Sequence, residues 1–395
     1  MSTKRTLQRP DGFEEGASRP VVPPIQPSVV YASETPDSLD DQYEGRVQGY
    51  TYAREGHPNA VSLARAVARR EGMEQGLTLG SGMAAVTAAL LGLTRAGDHV
   101  VGGDQLYGRS LRLLAEDLPR LGIATSRADP TDAEAFAAAF RPETKLALIE
   151  VVSNPTLRVA DLDGIAELCR ARGVTLVVDN TFTTPSAIRP AEHGADVVIH
   201  SVTKLLAGHS DVTLGWVAAK DPAQQKAMSD FAVTTGMTPS PFDCWLAERG
   251  MMTFDLRFAR TQDSAERLAA HLAGQEGVTK VLYPTRADHP DRNRAQGLLA
   301  GQGCNMVSFE IEGGRAAANA FTKGAESLAF APTLGDVGTT LSHPASSSHR
   351  ALTPEGRAAL GISEGMFRVS VGLEEPEALL GAFDAGLAAA RAARG

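Results

Sequence analysis

The sequence predicts an α/β protein, with a large and mostly parallel sheet, a smaller C-terminal α/β domain and an extended N-terminal arm. Three observations predict it. Between residues 60 and 255, short β-branched runs alternate with amphipathic helical stretches. Several of the runs, such as Leu146–Val152, are continuously apolar rather than alternating, which suits strands covered on both faces. Residues 1–58, in contrast, show little periodicity and carry Pro10, Pro20, Pro23, Pro24, Pro27 and Pro36, then Tyr43, Tyr50 and Tyr52. A long irregular arm with tyrosines suits docking on another surface. The expected division is an arm at 1–58, a first domain at 59–255 and a second at 256–395.

Each element follows in order. Asn59–Arg70 reads as a helix, Leu77–Leu79 as a short strand and Ser81–Leu93 as an Ala-rich helix. A strand at His99–Val101 precedes helices at Ser110–Leu121 and Asp132–Phe140. Leu146–Val152 is a buried strand ending in Ser-Asn-Pro, and Asp161 caps a helix running to Arg172. Thr175–Val178 is a strand ending in Asp179, and Val197–His200 is one ending in Ser201. Phe242–His271 contains a long connecting helix. Strands at Thr279–Leu282, Met306–Ile311, Leu328–Ala331 and Phe367–Val371, with helices such as Pro376–Ala390, form the smaller domain.

Composition narrows the function. The chain has 395 residues, 43% of them hydrophobic and 22% charged, enough for a core of ordinary size. A net charge of −9 offers no basic face for phosphates, which argues against a nucleic-acid partner. Cys169, Cys244 and Cys304 are far apart and form no CxxC pair, so neither a disulfide framework nor a structural zinc is expected. Met1–Pro20 has no apolar core of a secretory signal. No run reaches the ~18 apolar residues of a membrane span, so no membrane partner and a cytoplasmic setting are expected.

Parallel α/β sheets bind ligands beyond the carboxyl ends of their strands. Asp179 ends one strand, where a carboxylate can keep a pyridinium nitrogen protonated. Ser201-Val-Thr203-Lys204 follows another, with two hydroxyls suited to a phosphate and an amine suited to an aldehyde. Ser81-Gly82-Met83 opens a helix, whose free N–H groups bind anions. GLTLGSGMAA is too short for the dinucleotide glycine pattern, and no P-loop is present.

These residues, with Tyr50-Thr-Tyr-Ala-Arg54, Tyr107-Gly108, Val178-Asp-Asn-Thr-Phe182, Gly208-His-Ser-Asp211, Ser240-Pro-Phe-Asp243 and Phe367-Arg-Val-Ser-Val-Gly-Leu-Glu374, resemble the Cys/Met-metabolism pyridoxal-phosphate enzymes. The matching stretches run in order from about residue 20 to the C-terminus. The resemblance implies a fold-type-I pyridoxal 5'-phosphate (PLP)-dependent transferase, assembled as a homotetramer of two catalytic dimers. It implies that Lys204 is the Schiff-base lysine and proton shuttle, that Asp179 pairs with the ring nitrogen, and that Gly82, Met83, Ser201 and Thr203 hold the phosphate. Tyr52 and Arg54 would reach the neighbouring subunit's phosphate, and Tyr107 would stack on the ring and serve the leaving group. Asn154 would orient the ring hydroxyl and Arg368 would bind the substrate α-carboxylate, while Glu150 and Ser240 read as structural. The sequence departs from the family at His57, at Arg109 beside the substrate mouth, and in Thr333–Thr339, where a Thr opens the run and Gly338 stands where an acid is common.

The implied reaction is carbon–sulfur lysis of a small sulfur amino acid by γ- or β-elimination, giving a 2-oxo acid, ammonia and a thiol. γ-Replacement on an O-acylhomoserine is the alternative, and no residue separates the two. An aminotransferase and a non-catalytic cofactor-binding protein are rivals of other classes; the family motifs oppose the first, and intact Lys204, Asp179, Tyr107 and Arg368 the second.

Overall fold

The continuous apolar runs become the middle of a seven-stranded sheet in the computed structural model of the chain, which describes residues 18, 20–350 and 352–393. The expectation for Met1–Pro20 therefore falls almost wholly outside the described residues. The sheet consists of β1 (Leu77–Leu79), β2 (His99–Gly103), β3 (Ala124–Ala128), β4 (Thr144–Glu150), β5 (Thr175–Asp179), β6 (Val197–His200) and β7 (Gly215–Ala219). Their order is β1-β7-β6-β5-β4-β2-β3. Strands β2 to β6 pair in parallel, and β7 is antiparallel to both its neighbours. Ala147, Ile149, Leu176 and Val178 face one core while Leu146, Leu148, Val177 and Val197 face the other. Burial on both faces is why the middles of β4, β5 and β6 are apolar at consecutive positions.

Two strands of this sheet escape the sequence pattern. β3 lies at an edge and none of its residues is fully buried, so its Thr, Ser and Arg carry no apolar signature. β7, Gly-Trp-Val-Ala-Ala, is fully buried but is composed mostly of poor strand formers.

The second sheet holds β8 (Val278–Leu282), β9 (Met306–Ile311), β10 (Ala329–Phe330), β11 (Thr340–Ser342) and β12 (Met366–Ser370), in the order β10-β11-β12-β9-β8. The three-residue β11 is too short to show a period. Around Phe309, Phe321, Phe367 and Phe383 this unit has its own aromatic core. The long helix expected within Phe242–His271 is Phe254–Ala273, of 20 residues, and it is preceded by a shorter helix, Pro241–Met251. The expected boundary at 255 lies in the first turn of the second helix.

Local corrections are physical. The arm contains a helix, Pro36–Tyr43, started by a capping box between Thr35 and Ser38. Asp161 occupies the N-cap position before Leu162–Arg172, but its side chain makes no cap bond. The helix expected at Ser110–Leu121 spans Gly108–Arg120 and widens into a π turn at Leu113–Asp117. His57 does cap its helix: Nδ1 accepts the Ala60 N–H at 3.2 Å, which leaves Nε2 to donate to the Pro239 carbonyl at 3.1 Å. Among the described residues, no helix is long and apolar enough to cross a membrane.

Candidate active site

The carboxyl ends of β4, β5 and β6 open onto a cavity of about 250 Å³. Its lining includes Gly82, Met83, Tyr107, Asn154, Asp179, Ser201, Thr203, Lys204, Thr333 and Arg368. All ten were picked from the sequence. They come from both sheets, so the site lies where the two units meet. In a larger cavity of about 500 Å³, Lys280 is exposed and Asp288 is paired with Arg286 at 2.8 Å.

Gly82 starts the helix Gly82–Leu93 directly over Ser201; a Cβ at Gly82 would lie 2.6 Å from the Ser201 Cβ. Ser81 spends its hydroxyl on the Ala84 N–H, and the first N–H groups of the helix have no partner within it. The Ser201 N–H is held by Thr181 Oγ1 at 2.8 Å, and Thr181 in turn donates twice to Asp179 Oδ1, at 2.5 and 3.0 Å. Thr203 differs from its neighbour: its hydroxyl donates to the Leu214 carbonyl at 3.1 Å and accepts from the Leu214 N–H at 2.9 Å. Its proton is thus committed to the turn that holds Lys204. Gly335, at φ +83°, packs against the backbone of Lys204 and Leu205, where a side chain would collide.

Two basic groups share the cavity, and among the described residues neither forms an ion pair. Lys204 Nζ donates to Thr333 Oγ1 at 3.3 Å. Burial first, then the charge of Arg368, holds its ammonium below the ordinary lysine range. Arg368 is buried and donates to two neutral acceptors, Asn154 Oδ1 at 2.8 Å and the Thr333 carbonyl at 2.7 Å. Among the described residues its Nε has no partner, and burial lowers its pKa to about 10. A buried guanidinium with a free N–H suits an incoming carboxylate. Asp179 has the opposite lack: burial raises its carboxyl above the usual value, although the Thr181 bonds and His200 act against it. A cationic N–H would relieve it.

These residues fit PLP: helix N–H groups beside Ser201 for the phosphate, Asp179 for the ring nitrogen, and a lowered Lys204 amine for the aldehyde. Glu150, read from sequence as structural, also lines the cavity and accepts the Tyr107 N–H at 2.6 Å. Only its place at a strand end could have marked it. Ser240 is an N-cap, accepting from the Asp243 N–H.

Three expected site residues lie outside the cavity of their own chain. Arg109 is exposed on the first turn after Tyr107, where helix geometry turns it outward and Ser110 inward. Tyr52 and Arg54 sit together, with the guanidinium 5.4 Å from the ring centroid and paired to Glu55 at 3.3 Å. Gly338 stands where an acid is common, and its N–H donates to Asp336 Oδ1 at 2.7 Å. Glu374 approaches it, but its carboxylate is already engaged by the Thr339 N–H and by Thr339 Oγ1 at 2.7 Å.

The model of the Cys/Met metabolism PLP-dependent enzymes matches residues 6–388. The L-methionine gamma-lyase of Pseudomonas putida is 38% identical over 364 residues, covering 91% of this chain and 90% of that protein. The O-succinylhomoserine sulfhydrylase of Pseudomonas aeruginosa is 37% identical over 359 residues, covering 91% and 89%. The crystal structure of cystathionine gamma synthase from Xanthomonas oryzae pv. oryzae, in complex with cystathionine, superposes with a TM-score of 0.89 at 38% identity, covering 94% of each chain. The chain therefore belongs to the Cys/Met metabolism PLP-dependent enzyme family, as a lyase or γ-replacement enzyme of that family.

Proposed function

We propose that this enzyme cleaves the carbon–sulfur bond of a sulfur amino acid by γ- or β-elimination, releasing a 2-oxo acid, ammonia and a thiol. The observation that carries this reading is Arg368, buried, with no ion pair and its Nε free among the described residues, beside a lowered Lys204 amine. Bound PLP supplies an aldehyde that captures the substrate amine and a ring that accepts the electron pair of the broken Cα–H bond. The chain does the rest. Arg368 fixes the substrate α-carboxylate, with Asn154 and Thr333 fixing Arg368. Asp179 holds the ring nitrogen proton, and Gly82, Met83 and Ser201 hold the phosphate, with Thr203 shaping the turn. Lys204 Nζ takes the Cα proton and passes protons between neighbouring carbons, with Thr333 Oγ1 steadying it between transfers. Tyr107 stands at the mouth, 44% exposed, where its hydroxyl can protonate the departing sulfur.

The site is completed in trans on this reading. Tyr52 and Arg54 reach a neighbouring subunit's phosphate in a homotetramer of two catalytic dimers. Support comes from the arm, which leaves Val21, Val22, Val29, Val30 and Val47 exposed. A reducing, cytoplasmic setting belongs to the same reading: all three cysteines are buried and free, and burial pushes their thiols up to about 12.

A product assay across methionine, homocysteine, cystathionine, cysteine and O-acylhomoserines tests the reading. Elimination gives 2-oxo acid and ammonia without added thiol. If product forms only from an O-acylhomoserine with added thiol, the enzyme is a γ-replacement catalyst instead.

A further inference from the structure

Glu150 and Asp179 end neighbouring parallel strands in direct register, so both carboxyls emerge side by side on the cavity floor. Two carboxylates at one strand spacing cannot both ionise cheaply. The structure distinguishes them. Asp179 receives an N–H and an O–H from Thr181. Glu150 receives one N–H, from Tyr107, and forms no ion pair among the described residues. The groups that face Glu150 are Asp179 from β5, Tyr107 from the turn after β2 and Arg368 from β12, with Lys204 across the same cavity. Arg368 spends its bonds on Asn154 and Thr333 instead. Among the described residues, the bond to Glu150 is also the only hydrogen bond tying Tyr107 to the sheet.

We propose that Glu150 is a positioning residue for the reaction, acting as an uncharged carboxylic acid that accepts the Tyr107 N–H and fixes the Tyr107 ring at the cavity mouth. Burial, and then Asp179, pushes its carboxyl well above the ordinary range, which agrees with this state. The proton has a use. An uncharged Glu150 leaves Asp179 as the one anion on the floor, so the cation of a bound ring is drawn to Asp179. It also leaves the Arg368 charge free for the substrate. The assignment rests on the function proposed above for Tyr107, but the charge state of Glu150 does not.

The charge state is measured first, on the enzyme without substrate, by the infrared C=O stretch of a protonated carboxylic acid at neutral pH. It should be present in the parent, retained in Asp179→Asn and lost in Glu150→Gln. Kinetics follow on the holoenzyme. Glu150→Ala should lower kcat by about tenfold or more with little change in KM, because it unties Tyr107. Glu150→Gln, whose amide oxygen still accepts the N–H, should restore most of that loss. It should also lack the alkaline fall in kcat that the parent shows as Glu150 ionises. If Glu150→Ala does not fold, the infrared band and the Gln pH profile decide alone. The proposal is overturned if the band is absent, if Gln is as impaired as Ala, if Ala matches the parent, or if the Gln pH profile equals the parent's. A parent inactive on every substrate overturns the function proposed above, while the infrared result stands.

Discussion

At the scale of single residues, the site is a set of unmet needs: a cation without an acid, an anion without a cation, and an amine with a lowered pKa. Lys204→Ala should therefore abolish the visible absorption of the bound cofactor and nearly all turnover. A borohydride-fixed adduct at parental level in that variant would place the anchor on another lysine. Asp179→Asn should keep the cofactor and lose most activity, since an amide cannot hold the ring nitrogen proton; activity within a few-fold of the parent would remove Asp179 from the site. His349 gives a stability prediction. It is 2% exposed, and burial, then Arg368, lowers its pKa to about 4. Its folded value lies below the unfolded one near 6.5, so the unfolded chain binds more protons between those values. The neutral ring's contribution is present above about pH 6.5 and lost as pH falls towards 4, amounting to roughly 3 kcal/mol. Urea midpoints at pH 7 and pH 5 test this: the parent should lose more stability on acidification than His349→Gln. Equal losses would show that His349 does not carry it. His57, His99, His289 and His343 are shifted the same way, so the variant should keep some slope.

At the scale of elements, what was legible in the sequence is what is buried on both faces and ends in chemistry. β5 and β6 announce themselves by apolar runs stopping at Asp179 and Ser201. β3 and β7 do not, because an edge strand needs no apolar residues and a strand closely approached by other backbone uses Gly and Ala. Arg109 shows a further limit: sequence places it beside Tyr107, but only helix geometry shows that it points away from the cavity. The helix Gly82–Leu93 makes an element-scale prediction. Gly82→Ala would drive a methyl group to within 2.6 Å of the Ser201 Cβ and displace the helix start, so the Kd for PLP should rise by about tenfold or more. An unchanged Kd, measured by absorbance titration of the apoenzyme, would detach the phosphate from this helix. The Thr333–Thr339 loop makes another. With Gly338 in place of an acid, a distal ammonium loses a carboxylate side chain at that position, and the neighbouring Asp336 and Glu374 already accept the Gly338 and Thr339 N–H groups. Such a loss costs about 1–3 kcal/mol, roughly ten- to a hundredfold in kcat/KM. Methionine, homocysteine or an O-acylhomoserine should thus be used at least as well as cystathionine. A cystathionine kcat/KM more than tenfold above all others would show that the loop does not set specificity.

At the scale of the whole molecule, one chain supplies the floor and walls of its cavity but leaves Tyr52 and Arg54 outside it. Among the described residues, Arg54 is tied only to Glu55 and the Tyr52 ring, both exposed, and such a surface pair is worth little on its own. The arm around them exposes Val29, Val30 and Val47 to solvent. These facts make sense together if each arm completes the phosphate end of a neighbour's cavity. Mixing supplies the test. Arg54→Ala and Lys204→Ala chains should each be nearly inactive alone, because every site in either homodimer lacks one of the two groups. In a hybrid dimer, one site loses both groups while the other takes Lys204 from the first chain and Arg54 from the second. Random co-refolding makes half the dimers hybrids with half their sites intact, so activity should return to about one quarter of the parent. Phosphate contacts made within one chain predict no recovery at all. Recovery no higher than the better single variant, or a fully active monomer in sedimentation, would mean that the arm does not complete a neighbour's site.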